Sequence, residues 1–374
     1  MREFQNSLSM VADMQPSLPV YCIHADVYKK TARSFVDGFP GRTLYAVKAN
    51  NNEHVLRLLH LSGVTHFDCA SLDEIELVHS IAPDAVCYFM IPARLPGAAE
   101  AAFRNCGVRH FMVDHHSAIA SLLDEIDAKE STVFVRMAVS HRSAAENLSA
   151  KFGAPPADVP ELLNRIAASG AQPALAFNVG SGVRDPRAYV DAIDLAMSVI
   201  EQSGELVRLL DIGGGFPHSY PGYTSPPLEN YFSAIRDRIN AVDARLRTEL
   251  LAEPGRALSA PGLSVVTRIL LRKDNSLYLN DGMYGGLWEL RCNGQDRFQT
   301  GCLRIDGALS KELAEYRVFG PTCDASDVLP SALRLPADLK AGDFIEFEEI
   351  GAYSLSGRTD FNGFGRYETV FIRS

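Results

Sequence analysis

TLYAVKANNNEHVLRLLHLSGVTHFDCAS, residues 43–71, decides how the rest of the chain is read. It opens on a short β-rich apolar run, TLYAVKA (43–49), passes through a helical segment, and closes on a second such run, HFDCAS (66–71). The unit recurs. AVCYFM (85–90), HFMVD (110–114), TVFVRMAV (132–139), PALAFNVG (173–180), VRLLDIGG (207–214) and ELLAEPG (249–255) bring the candidate strands to eight. Most are continuously apolar rather than alternating, as strands covered on both faces are. Between them Val190, Ile193, Met197 and Ile200 recur at helical spacing, and so do Ile235, Ile239, Val242 and Leu246. Ser71 followed by Glu74 makes a capping box that opens the helix DEIELVHSI. Repeated strand–helix units predict an α/β fold, a TIM-like (β/α)8 barrel, with a doubly wound open sheet as the competing arrangement.

After Pro254 the texture changes. LSVVTRILLRKDNSLYLNDGMYGG, FIEFEEIGAYSLSG and YETVFIRS have β-branched or alternating character with turn residues between, and no long helical period. The expected organisation is a barrel over residues 21–254, with residues 1–20 and 255–374 forming a mostly β domain. LPVYCIHA (18–25) leads into the first helix and can add a strand to that domain. A chain of 374 residues suits one large barrel plus a smaller unit.

Apolar residues make up 47% and charged residues 22%, a globular composition. The net charge of −10 argues against a general nucleic-acid or anionic-membrane binder, while leaving room for a local basic pocket. Seven cysteines, an odd number with no C-x-x-C pair, read as reduced thiols rather than a zinc ribbon or disulfide framework. The ten histidines show no H-x-H or H-E-x-x-H spacing, so no metal is expected. No apolar run reaches membrane-spanning length and no signal peptide precedes residue 20, so the expected location is the cytoplasm.

A barrel of this kind gathers its chemistry at the C-terminal ends of its strands. There lie Lys48 in YAVKAN, Asp68 in FDCAS, Asn178 and Ser181 in FNVGSG, Gly213, Gly214 and Gly215 in LDIGGGFP, and Glu253 and Arg256 in EPGR. A strand-end lysine is ordinarily a solvated surface charge. Lys48, however, follows the apolar run Tyr45-Ala46-Val47, a setting expected to lower its pKa as a Schiff-base amine requires. The triple glycine is by itself only a turn signal; at a strand end it lets backbone N–H groups approach a phosphate. Glu253 is either a plain strand-end acid beside Arg256 or a carboxylate for a pyridine nitrogen. Asp281 (NDGMYG), Cys323 and Asp324 (GPTCDASD) and Tyr353 (GAYSLSG) form a second set, for which turn chemistry and a structural thiol are the plainer readings.

YAVKAN, FDCAS, LSAKFG, NVGSG, LDIGGGFP, EPGR, NDGMYG, GPTCDASD, GAYSLSG and FNGFG together resemble, in order and over nearly the whole chain, the ornithine/lysine/diaminopimelate/arginine decarboxylase family. These are the barrel-type (fold type III) enzymes that use pyridoxal 5'-phosphate (PLP). The resemblance implies that Lys48 carries the cofactor as a Schiff base. It implies that Gly213, Gly214, Gly215, Ser181, Arg256 and Tyr353 hold the phosphate, that Glu253 pairs with the pyridinium nitrogen, and that Asp68 and Asn178 lie beside the cofactor. It further implies a head-to-tail homodimer with shared active sites. Cys323 would then reprotonate Cα in the neighbouring site, and Asp281, Asp324 and Phe361 would bind an amino-acid substrate. CDASD, where diaminopimelate decarboxylases typically have Cys-Glu-Ser, leans toward the ornithine/lysine branch and polyamine chemistry. Two positions depart from the family pattern: Asn178 stands where a histidine is usual, and Asn147 where the ornithine branch has arginine, with His141 and Arg142 just upstream. A specialised pathway with an unusual substrate fits these departures, as does a non-catalytic regulatory homologue; an amino-acid racemase shares the barrel and lysine but not GPTCDASD.

Overall fold

The computed structural model describes the whole chain except residues 140, 142–148, 205, 223, 294–297 and 374. Arg142 and Asn147 therefore lie outside the described residues. The chain starts with a short strand, β1 (Glu3–Phe4), the helix Ser7–Met14 and β2 (Val20–His24), which runs directly into the helix Ala25–Gly38. Eight parallel strands follow: β3 (Arg42–Ala46), β4 (His66–Cys69), β5 (Val86–Phe89), β6 (His110–Val113), β7 (Thr132–Met137), β8 (Gln172–Phe177), β9 (Leu209–Asp211) and β10 (Glu249–Ala252). Each pairs with the next, and β10 pairs with β3 to close the barrel. All eight expected strands are present, and closure eliminates the open sheet.

The barrel is sorted by the two-residue period of its strands. Tyr45, Phe67, Phe89, Phe111, Val133, Leu175 and Phe177 point outward and are buried against the helices in the main core. Leu44, Tyr88, Met90, Met112, Phe134, Ala174, Ala176 and Leu251 form a separate cluster that fills the interior. Fully burying one such side chain stabilises by about 1.5–3 kcal/mol. The inward register has a consequence for chemistry. Two residues beyond inward Ala46, Ala176, Leu209 and Leu251 come Lys48, Asn178, Asp211 and Glu253. Apolar inside positions thus give way to polar ones at the C-terminal ends of the strands.

Helix placement follows local signals. Ser71 caps Leu72–Ile81, its side chain accepting from the Glu74 N–H at 3.2 Å, while the Glu74 carboxylate accepts from Ala70 N–H at 2.7 Å. Ile193, Met197 and Ile200 are buried on the helix Arg187–Gln202. The helix carrying Ile235 and Ile239 stops at Asn240, earlier than the spacing predicts; Val242 and Leu246 lie beyond it and are buried from the following turns.

After the barrel come β11 (Leu263–Lys273), β12 (Ser276–Leu279), β13 (Thr300–Leu303), β14 (Leu313–Phe319), β15 (Leu333–Pro336), β16 (Phe344–Phe347) and β17 (Glu368–Ile372). They build one sheet in the order β1-β17-β2-β11-β12-β14-β15, with β16 bridging β11 and β13. β2 pairs antiparallel with Leu263–Val266 and parallel with β17. Residues 20–24 thus pair within this sheet and not with the barrel strands. Among the described residues no helix is long and apolar enough to cross a membrane.

Candidate active site

Lys48 sits just past β3, on the single helical turn Val47–Ala49. Its Nζ donates to Asp68 Oδ2 at 2.7 Å; the lysine side chain is 48% exposed at the barrel mouth and that of Asp68 1%. Enclosure acts to lower the pKa of Lys48, but the Asp68 and Glu253 carboxylates outweigh it and hold the ammonium well above its ordinary value. This corrects the expectation of a lowered pKa. Tyr45 and Val47 are buried in the outer core, whereas the inward neighbours of Lys48 are acids. Asp68 is the carboxylate that accepts directly from the Lys48 ammonium.

Glu253 follows β10, its N–H donating to the Gly213 carbonyl at 2.9 Å. Asp211 ends β9, and its Oδ1 accepts from the Gly213 N–H at 2.8 Å. Glu253 Oε1, Asp211 Oδ2 and Asp68 Oδ1 are buried and have no donor among the described residues. Burial first, then the charges of Asp211 and Asp68, raise the Glu253 pKa; burial likewise pushes Asp211 up to about 7. A buried carboxyl group with raised proton affinity and an oxygen left without a donor suits pairing with a ring nitrogen that has to stay protonated.

The glycines enclose the other side of the pocket. A Cβ on Gly213 would lie 2.4 Å from the Phe177 carbonyl oxygen, and one on Gly215 2.4 Å from that of Gly180. Both glycines have positive φ, +70° and +99°. Backbone approaches this close, together with left-handed conformations, require glycine. Lys48, Asn178, Ser181, Gly214, Gly215, Glu253, Arg256 and Tyr353 line one pocket with Ala46, Gly180, Gly182, Phe216 and Gly255. Asn178 Oδ1 accepts from the Gly180 N–H at 3.0 Å, bracing the loop beneath the glycines. Arg256 lies 5.1 Å from the centre of the Tyr353 ring.

Three functional neighbours went unnoticed in the sequence. Asp211 shares the inward parity of Leu209 and directly precedes the glycines. Glu289 forms an ion pair with Arg256, 2.8 Å from its Nη1, and Tyr220 accepts from the same nitrogen at 3.1 Å. Neither Glu289 nor Tyr220 lies in a motif that signals such a contact.

Of the second set, Tyr353 reaches the Lys48 pocket of its own chain and Asp281, Cys323 and Asp324 do not. Asp281 is 2% exposed; its oxygens accept from the N–H groups of Gly282 and Gly286 and pair with Arg358 at 3.2 Å. Arg358 also donates to the Tyr21 hydroxyl at 2.8 Å. The charge of Asp281 is thus compensated inside the β unit, where it lines a small pocket with Tyr284 and Phe361. Cys323 and Phe361 are exposed and Asp324 is half-buried. The Phe361 ring stacks on Tyr284 at 4.6 Å, the Cys323 N–H donates to Asn362 Oδ1 at 3.1 Å, and Asp324 Oδ1 accepts from the Ser326 N–H at 2.7 Å. They make a surface of the β unit apart from the pocket of their own chain. His141 lies 3.6 Å from Asp191, in a separate cleft with Ala138, Val139 and Val179.

A lysine beside a carboxylate, a glycine cradle with an arginine, and a buried acid with an unused oxygen fit PLP. The comparisons with known proteins agree. Residues 25–260 match the family described as "Pyridoxal-dependent decarboxylase, pyridoxal binding domain", and the chain belongs to this fold type III decarboxylase family, whose cofactor is PLP. It is 32% identical over 358 residues to decarboxylase flvG of Aspergillus flavus, covering 89% of this chain and 80% of that one. It is 29% identical over 382 residues to antizyme inhibitor 2 of Xenopus laevis, covering 91% and 77% respectively. The lysine/ornithine decarboxylase of Vibrio vulnificus, solved in complex with putrescine, superposes with a TM-score of 0.83 at 27% identity over 99% of both chains.

Proposed function

We propose that the chain is an active decarboxylase of a basic amino acid of the ornithine or lysine type, or a related unusual amino acid, releasing CO2 and an amine. The observation that carries this reading is the convergence of Lys48, Glu253, the glycines and Arg256 on one pocket. When bound, PLP supplies the electron sink for the pair left on Cα as CO2 departs. The protein's part is to bind, orient and move protons. Lys48 holds the cofactor, and Asp68 positions its amine and governs its proton. Glu253 holds a proton at the ring nitrogen. Gly213, Gly214, Gly215, Ser181, Arg256 and Tyr353 hold the phosphate, and Asn178 keeps its loop in register beside the ring.

Cys323, Asp324 and Phe361 act on the neighbouring subunit of a homodimer in the cytoplasm. The exposure of Cys323 and Phe361, on a surface apart from their own pocket, supports this arrangement. Cys323 delivers the proton to Cα. Hydrogen bonds from Ser326 hold the Asp324 carboxyl below the usual carboxylate range, so it is charged at neutral pH and suited to a distal ammonium.

The test is incubation of the PLP-reconstituted protein with ornithine, lysine, arginine and diaminopimelate, measuring CO2 and amines. Putrescine or cadaverine supports the reading. No product from any of the four, with cofactor bound, favours an unusual substrate or a regulatory homologue, a second reading supported by the likeness to antizyme inhibitor 2 and by Asn178. Mixing Lys48→Ala and Cys323→Ala chains tests the shared site: confirmed mixed dimers recover part of the activity, and their failure to do so refutes it.

A further inference from the structure

Arg256 is the one strongly cationic group of the phosphate cradle, and its charge is already compensated. Its Nη1 lies 2.8 Å from Glu289 Oε1, with the two side chains 9% and 1% exposed. The same nitrogen donates to the Tyr220 hydroxyl at 3.1 Å and to the Ala352 carbonyl at 3.3 Å. Every one of these bonds uses Nη1. A guanidinium carries five N–H donors in a rigid fork, so those on its other nitrogens are left for an anion in the pocket that Arg256 lines.

The pair has two opposing effects. A buried guanidinium without a counter-charge is strongly destabilising, so Glu289 keeps the cradle stable when no phosphate is in it. A phosphate that enters then meets an arginine–carboxylate pair of zero net charge instead of a free cation, and it is repelled by the carboxylate. We propose that Glu289 is a positioning residue that clamps Arg256 through Nη1 and, by its charge, sets the cofactor's phosphate affinity below what the glycines and arginine alone would give. The inference rests on the reading that PLP places its phosphate at Arg256.

The test compares PLP with pyridoxal, which lacks the phosphate. Apoprotein is titrated with each, and visible absorbance reports cofactor held at Lys48. Glu289→Gln keeps an acceptor for Nη1 and removes the charge, so the PLP dissociation constant falls on the order of tenfold, as expected for one unit charge removed a few ångströms from a dianion. Pyridoxal affinity stays unchanged. Glu289→Ala also removes the clamp and binds PLP more weakly than the Gln variant. A Gln variant that binds PLP no more tightly than wild type, or that shifts PLP and pyridoxal by one common factor, overturns the proposal. Should the Gln chain not fold, Glu289→Asp gives the same contrast: the retained charge with a displaced clamp weakens PLP binding and spares pyridoxal, and equal effects on both overturn it. Wild-type protein that takes up neither compound, or does not prefer PLP, refutes the underlying placement of the cofactor and the inference with it.

Discussion

Replacing Asp68 with asparagine isolates the group that governs the Lys48 proton. The Lys48–Asp68 bond is 2.7 Å long, and its carboxylate side chain is 1% exposed, so water screens it little on the acid side. A hydrogen bond to a charged group at such a site contributes about 1.5–3 kcal/mol, which corresponds to about 1–2 pKa units. The sign is fixed by charge: removing the anion removes what holds the proton, so the Lys48 pKa falls by that amount. It stays partly supported, because Glu253 is a second acid raising it. The assay is competitive labelling of apoprotein with a small anhydride across the alkaline range, with Lys48 modification read by peptide mass mapping. In Asp68→Asn the reactivity midpoint moves about 1–2 units toward neutral pH, and labelling at pH 8 rises by about tenfold or more. A midpoint that does not move, or that moves upward, refutes the argument that the paired carboxylate controls this amine.

Gly213→Ala places a Cβ 2.4 Å from a backbone oxygen at φ +70°, and strain of this kind together with overpacking costs about 2–5 kcal/mol; thermal unfolding drops and PLP retention on desalting is lost, whereas unchanged retention counts against the cradle. Asp281→Asn leaves Arg358 buried beside a neutral partner, so denaturant titration should show a loss of about 3–5 kcal/mol with little change in KM of whatever folded enzyme remains; the reverse pattern assigns Asp281 to substrate binding. Burial, reinforced by the Arg42 charge, depresses His66 and His110 to about 4 at the closed end of the barrel. Their folded pKa lies below the unfolded value, so the unfolded chain takes up the proton first, and their contribution, intact above pH 6.5, is lost as pH falls toward 4. His110→Phe should therefore flatten the acid slope of stability by up to about 1.4 kcal/mol per pH unit in that window, and an unchanged slope rules the residue out.

The fold was legible because it is local and periodic. Each barrel strand is a short apolar run bounded by turn residues, and each polar residue of the pocket stands at the end of one. What local reading missed comes from partners distant in sequence. Tyr45 and Val47 suggested an apolar setting for Lys48, yet strand parity turns them away from it and turns Asp68 and Glu253 toward it. Asp281 occupies a turn motif, but its partner Arg358 is 77 residues away and no local pattern announces it. Glu289 stands in a five-residue helix with no motif of its own, so only the assembled fold brings it to Arg256. Asp211 was recoverable: it shares the inward parity of the interior residues and adjoins the glycines. The early end of the Leu228–Asn240 helix shows the limit of spacing alone, since Val242 and Leu246 are buried outside that helix, Leu246 from a short 3-10 turn.

The most direct test of the account is to load the protein with PLP, reduce it with borohydride, and map the modified peptide by mass spectrometry. The account predicts one pyridoxyl group per chain, on Lys48, and its disappearance together with the visible absorbance in Lys48→Ala. Modification at another lysine, or a Lys48→Ala chain that keeps the label, would contradict it.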